Sequence, residues 1–219
     1  MTKSITILIC ILLSTNLYSN NKDSVLIDSH FLFEDGIYID FNSVKTLNPI
    51  NVSSIVTDIP INDIEFFKKL TSNEKISFYD NSGLKQIIST KNIWGYSSKG
   101  ILHKKTEEGF YIIPITGAIS QYVAEIKVIR EMVSDSYMTN YYNGMGSASY
   151  ETKETHMFMI SLETGIVYDY SYKNLEILLS ADEKLFLEYT SLKKRKRKQQ
   201  IFLFIQKYNK KHPLYFEKK

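Results

Sequence analysis

Lys75-Ile76-Ser77-Phe78-Tyr79-Asp80-Asn81-Ser82-Gly83-Leu84-Lys85-Gln86-Ile87-Ile88-Ser89 is the stretch that decides the fold class. A β-rich run meets the turn residues Asp80-Asn81-Ser82-Gly83, and a second strand-like run follows from Leu84 to Ser89. Asp, Asn and Gly accept the tight backbone angles that reverse a chain, so the stretch predicts an antiparallel hairpin. The same punctuation continues outward. Asn92-Ile93-Trp94-Gly95-Tyr96 and Gly100-Ile101-Leu102-His103 flank the turn Ser97-Ser98-Lys99-Gly100. Gly109 to Ile115 and Ala118 to Val133 extend the series, and Met157 to Leu162 with Ile166 to Tyr170 flank Glu163-Thr164-Gly165. Upstream, the turn Asp35-Gly36 leads into Ile37-Tyr38-Ile39-Asp40-Phe41. Turn signals recur about every 8 to 12 residues, the spacing of antiparallel sheets.

Helical signals are sparse before residue 170. Asn42 to Asn48 reads as one turn ending before Pro49, and Asp63 to Leu70 as a short amphipathic helix capped by Asn62 or Asp63. The last 48 residues differ. Asn174 to Leu179 reads as a helix, and Ser180-Ala181-Asp182-Glu183 has the S-x-x-E form of a capping box with Ser180 as the cap. Leu185, Phe186, Tyr189 and Leu192 mark one helical face, and Ile201, Phe202, Ile205 and Tyr208 another. Pro213 stops that helix, and Leu214-Tyr215-Phe216 is expected to pack back on the body. Strands over 34–170 followed by helices over 174–209 predict an α+β fold: a β-rich antiparallel meander or incomplete barrel with C-terminal helices. The expected core includes Ile37, Phe41, Phe66, Trp94, Ile113, Phe158, Leu178, Phe186 and Phe202.

The chain has 219 residues, 43% hydrophobic and 23% charged, with a net charge of +3. That composition belongs to a globular protein rather than a disordered or polytopic membrane one. Met1-Thr2-Lys3, the uncharged apolar run Ile5 to Leu13 and the polar stretch Ser14 to Asn21 form the three regions of a secretory signal peptide, with cleavage expected after Ser19. The apolar run is shorter than the roughly 20 residues a transmembrane helix needs. Residues 20–219 are then read as one exported domain without a transmembrane span, periplasmic or extracellular. The only cysteine, Cys10, lies in the leader, so no disulfide, thiol chemistry or Cys-ligated metal is expected in the mature chain.

Charge is unevenly spread. Residues 193–219 carry 11 basic and 1 acidic residue, whereas residues 20–192 carry 15 basic and 23 acidic. Lys193-Lys194-Arg195-Lys196-Arg197-Lys198 is the centre of the basic segment. In the cytoplasm such a run suggests nucleic acid. Behind a leader it points instead to an anionic envelope component, or to a solvated helix face. Lys194, Arg195, Lys196 and Arg197 are the candidate contact residues. A second candidate is the loop over 134–155, whose Tyr137, Tyr141 and Tyr142 stand among Asn, Gly and Ser; Tyr supplies contact area and the small residues adaptable hydrogen bonds. It reads as a mobile insertion or a recognition loop.

Catalytic signatures are missing from the sequence. His30, His103, His156 and His212 form no metal-ligating spacing, and no G-x-S-x-G, G-x-G-x-x-G or phosphate-binding loop occurs. No cofactor and no metal are expected. Asp35, Asp40, Glu163 and Asp169 lie near strand ends; glycan hydrolysis would need a pair of carboxylates, and nothing in their spacing singles these out. Trp94 reads as a core anchor, or else a sugar-stacking platform.

Asp35-Gly36-Ile37-Tyr38, Ile93-Trp94-Gly95-Tyr96, Glu163-Thr164-Gly165, Tyr208-Asn209 and His212-Pro213-Leu214-Tyr215, in that order, resemble a family of small exported proteins of unknown function from Bacteroidetes-type bacteria. The resemblance implies export and a single domain, and no catalytic residue. The expected function is a non-catalytic binding or accessory module of the cell envelope, facing an anionic component or an envelope protein. The alternative is an envelope hydrolase acting on glycan through dispersed carboxylates.

Overall fold

The computed structural model describes residues 24–115, 117–131 and 149–218. The leader expected over 1–19, and Tyr137, Tyr141 and Tyr142, lie outside the described residues.

The two ends of this body pair with each other. β1 (Ser24–Ile27) runs antiparallel to β13 (Leu214–Glu217), and Ile27, Leu214 and Phe216 are buried. The tail after Pro213 thus returns as a strand. β2 (Gly36–Tyr38) is shorter than the sequence suggests. Asp40 accepts from the Ser43 amide at 2.7 Å and caps α1 (Phe41–Lys45), which ends the strand by starting a helix. β3 (Ile50–Asn51), β4 (Ile55–Val56) and α2 (Phe66–Ser72) follow. α2 starts later than Asp63, whose carboxylate instead turns the chain by accepting from the Glu65 amide at 2.9 Å.

β5 (Lys75–Tyr79) and β6 (Lys85–Ser89) form the expected hairpin. Asp80 holds its turn, accepting from the amides of Ser82 at 2.9 Å and Leu84 at 3.0 Å, while Gly83 takes a left-handed φ of 75°. β7 (Gly95–Ser98), β8 (Ile101–Lys105) and β9 (Phe110–Ile112) continue. β10 (Ile119–Glu131) and β11 (Ser149–Ser161) make one long ribbon, and β12 (Val167–Asp169) pairs with its base. The helices α3 (Tyr172–Leu179), α4 (Glu183–Thr190), α5 (Lys194–Gln199) and α6 (Ile201–Lys211) close the chain before β13.

Among the described residues the strands form four antiparallel sheets and no closed barrel. The largest has the order β3-β2-β7-β8-β9, so β2 pairs with β7 across a long excursion that holds β4-β5-β6. The antiparallel, β-rich α+β class with C-terminal helices is as expected, and the β2–β7 pairing is where the strands depart from simple succession. The central strands β2 and β7 are buried, with cores on both faces. Ile37 and Tyr96 face a smaller core with Phe66, Phe67, Leu70 and Ile76. Tyr38 and Leu102, one residue further along each pleat, face a larger core with Ile113, Met159, Leu179 and Phe204.

Four sequence expectations change. Phe202 is 54% exposed. The buried stripe of α6 is Ile201, Phe204, Ile205 and Tyr208, the i, i+3, i+4, i+7 pattern of one helix face. Ser180 ends α3, and Asp182 is the cap of α4, accepting from the Leu185 amide at 3.2 Å. The loop expected over 134–155 is shorter, because residues 149–155 are strand, paired with Glu125 to Glu131. Finally, the basic run is not the middle of a long helix but a six-residue helix of its own.

Candidate binding surfaces

The ribbon is the most extended feature. Thirteen paired residues per strand give a length of about 40 Å. Its base is core: Ile119, Tyr122, Ala124, Met159 and Ile160 are buried. Burial pushes the Tyr122 hydroxyl up to about 12, so it stays protonated. Midway, Lys127 and Lys153 stand directly opposite each other, a repulsive pairing. Glu108, from the turn between β8 and β9, neutralises it, lying 2.9 Å from the Lys153 amine and 3.5 Å from that of Lys127. Lys153's hydrogen bond and the two cationic charges hold the Glu108 carboxyl below its ordinary value, against the opposing effect of desolvation. Past this clamp the ribbon has no core on either face. Ile129 is 73% exposed, Tyr150 is exposed, and Arg130 pairs with Glu154.

The basic helix is the second surface. Lys194, Arg195 and Lys196 are exposed, as are Lys193 and Lys198. Arg197 differs from all of them. Its guanidinium pairs with Glu176 of α3 and lies 5.3 Å from the centre of the Tyr172 ring. Its carbonyl accepts from the buried Tyr189 hydroxyl at 2.8 Å. Lys194 and Lys198 reach the same ring, at 5.8 and 6.0 Å. Arg197 is therefore the peg that seats α5 on α3, and its neighbours are what α5 displays.

This separation is testable by substitution. Replacing Lys194, Arg195 and Lys196 with Gln leaves the melting temperature unchanged or slightly higher, because repulsion between like charges three and four apart costs roughly 0.2–0.5 kcal/mol per pair. Arg197→Gln strands the half-buried Glu176 and lowers stability by about 2 kcal/mol. Thermal melts of the two variants side by side check both.

The groups named for chemistry are mostly structural. Asp35 accepts from the Lys99 and Gly100 amides at 2.9 and 2.8 Å and fixes the turn between β7 and β8. Asp40 is a helix cap, Glu163 is an exposed turn residue, and Asp169 is exposed on β12. An open cleft of about 640 Å³ beside Glu34, Asp35 and Asp63 has all three carboxylates engaged: Glu34 with the Asn51 amide at 2.7 Å and Asp63 with Lys69 at 2.6 Å. Trp94 is buried against Phe41, with the Lys104 amine 5.0 Å from its ring, so it anchors the core. Desolvation there pulls the Lys104 amine below its ordinary value.

His103 stacks on Tyr96 at 4.5 Å, and desolvation lowers its pKa. His156 lies 3.2 Å from Glu154. His30 is an exposed turn residue whose amide donates to Asp28. His212 has a buried carboxylate as its partner. Its Nε2 donates to Asp182 at 2.7 Å, beside the Lys211 amine, also at 2.7 Å. The S-x-x-E motif draws attention to Ser180 and Glu183 rather than to Asp182 between them. No local signal links Asp182 to residues 30 positions downstream. Among the described residues no group of three or more His, Cys, Asp or Glu side chains could hold a metal ion, and no helix is long and apolar enough to cross a membrane.

Fold and surfaces together define a β-rich α+β protein with a projecting two-stranded arm and a displayed cationic helix. The chain matches no protein-family model, no curated protein and no solved structure.

Proposed function

We propose that this is an exported, non-catalytic binding or accessory module of a bacterial cell envelope, of the kind its sequence resembles. One observation carries the reading. The carboxylates of the cleft beside Asp35 and the buried carboxylate that His212 contacts already hold turns, caps and helix ends together, while Lys194, Arg195 and Lys196 of α5 and Ile129 of the ribbon stay exposed. A catalytic site gathers titratable groups around a reacting atom; a contact module presents them. The signal-peptide pattern of residues 1–21 supports the exported compartment. The alternative of glycan hydrolysis through Asp35, Asp40, Glu163 and Asp169 gains no support from their positions.

The test uses the full-length chain expressed in a native-type host. Intact-mass measurement of the envelope fraction is expected to give a species starting near Asn20, without hydrolysis of purified cell-wall glycan. A species retaining Met1 to Leu17, confined to the cytosol, overturns export. Glycan turnover that disappears on Asp35→Asn, with folding intact, overturns the non-catalytic reading.

A further inference from the structure

We infer that the α5–α6 corner is a peripheral docking site for an anionic lipid bilayer, in which cations and apolar side chains act together. This rests on the envelope reading and narrows its partner. The first observation is charge: α5 displays Lys194, Arg195, Lys196 and Lys198, within a segment of 11 basic and 1 acidic residue. The second is apolar. Phe202 and Leu203, in the first turn of α6, are 54% and 44% exposed.

A helix advances about 100° per residue. Leu203 and Lys210 therefore point nearly opposite the buried stripe Ile201, Phe204, Ile205 and Tyr208, and Phe202 lies at its border. Three to eight residues separate these apolar groups from the cations of α5. Phe202 borders an open cleft with Ser29 and Gln121, and both Phe202 and Leu203 keep about half of their surface in water, which is unfavourable for apolar side chains.

A soluble polyanion would satisfy the lysines and offer nothing to Phe202 and Leu203. An anionic bilayer satisfies both: headgroup phosphates attract the cations and the acyl boundary takes the large apolar side chains. Arg197 is not part of the contact, because it pairs with Glu176. The seat of α5 on Tyr172 and Glu176 keeps the charges presented without lipid.

Sedimentation with vesicles of 70% phosphatidylcholine and 30% phosphatidylglycerol, against pure phosphatidylcholine and against soluble polyphosphate, tests it. Wild type is expected to bind the anionic vesicles at low salt, at least tenfold more tightly than the neutral ones, with affinity falling as salt rises. Gln at Lys194, Arg195 and Lys196 is expected to weaken binding to vesicles and polyphosphate alike, by about tenfold or more. Phe202→Ser with Leu203→Ser is expected to weaken vesicle binding by about tenfold while leaving polyphosphate binding and the melting curve unchanged. Absence of vesicle binding at low salt overturns the proposal. So does vesicle binding indifferent to the two Ser substitutions, which reduces the corner to a general polyanion patch. Neither outcome bears on export, which the mass measurement decides separately.

Discussion

Gly95→Ala is expected to lower stability by about 3 kcal/mol, the upper end of overpacking costs. A Cβ at this position would sit 2.1 Å from the carbonyl oxygen of His103 and 3.1 Å from its carbonyl carbon. Both are backbone atoms of the adjacent strand, where Gly95 faces Lys104 in the ladder. No rotamer change relieves the clash; β7 and β8 must separate. Separation disturbs both cores at once, because Trp94 on one side of Gly95 packs in the larger core and Tyr96 on the other packs in the smaller one, stacked on Phe67 at 4.8 Å. Gly83→Ala is the control. Gly83 has φ of 75° and open space around it, so the cost there is the left-handed backbone alone, about 1 kcal/mol. At roughly 2–4 °C per kcal/mol for a chain of this size, thermal melts separate the two variants readily. Equal losses would show that the close approach of β7 and β8 is not what requires glycine.

The second large effect centres on Asp182. Its side chain is 2% exposed, yet it receives the Leu185 amide, the Lys211 amine and the His212 ring. It therefore ties the start of α4 to the end of α6, just ahead of β13. Lys211's hydrogen bond, then that of His212, hold its carboxyl well below the ordinary 3.8, against the raising effect of desolvation. A carboxylate with a depressed folded-state pKa contributes stability that is present in full above its unfolded value. That contribution fades as pH falls below about 4 toward the folded value. Asp182→Ala removes cap and ion pairs together and is expected to lower the melting temperature at pH 7 by roughly 5–10 °C. Asp182→Asn keeps a good helix cap, so it retains part of that loss and isolates the charge. The gap between wild type and Asp182→Asn is expected to narrow as pH falls below about 4. A gap that stays constant to pH 2 would mean that the carboxylate's charge contributes nothing.

Both residues illustrate how far the sequence reaches. Gly95 is visible as a glycine between two aromatics, but the carbonyl that forbids a side chain belongs to β8. Asp182 is visible only inside a capping motif whose first residue attracts the assignment. In each case the deciding partner is brought near by tertiary folding and leaves no mark at the position itself.

The sequence by itself determined the secondary structure where backbone chemistry is local. Asp80 and Gly83 make the β5–β6 turn wherever it is placed, and Pro213 ends α6 in any context. The α+β class followed, because strand-period and helix-period segments occupy separate halves of the chain. The basic run was equally legible as a charge cluster. Connectivity was not legible: the pairing of β2 with β7 passes over the β4–β6 excursion, and nothing local to either strand marks so distant a partner. Nor could the run of six cations show which member turns inward. Arg195 and Arg197 have similar sequence surroundings, and only the placement of Glu176 and Tyr172 on α3 makes one a displayed charge and the other a structural peg. Side-chain chemistry names what a residue can do. The tertiary structure decides which partner is close enough for it to do so, because ion pairs, ring contacts and steric exclusion act only over a few ångströms.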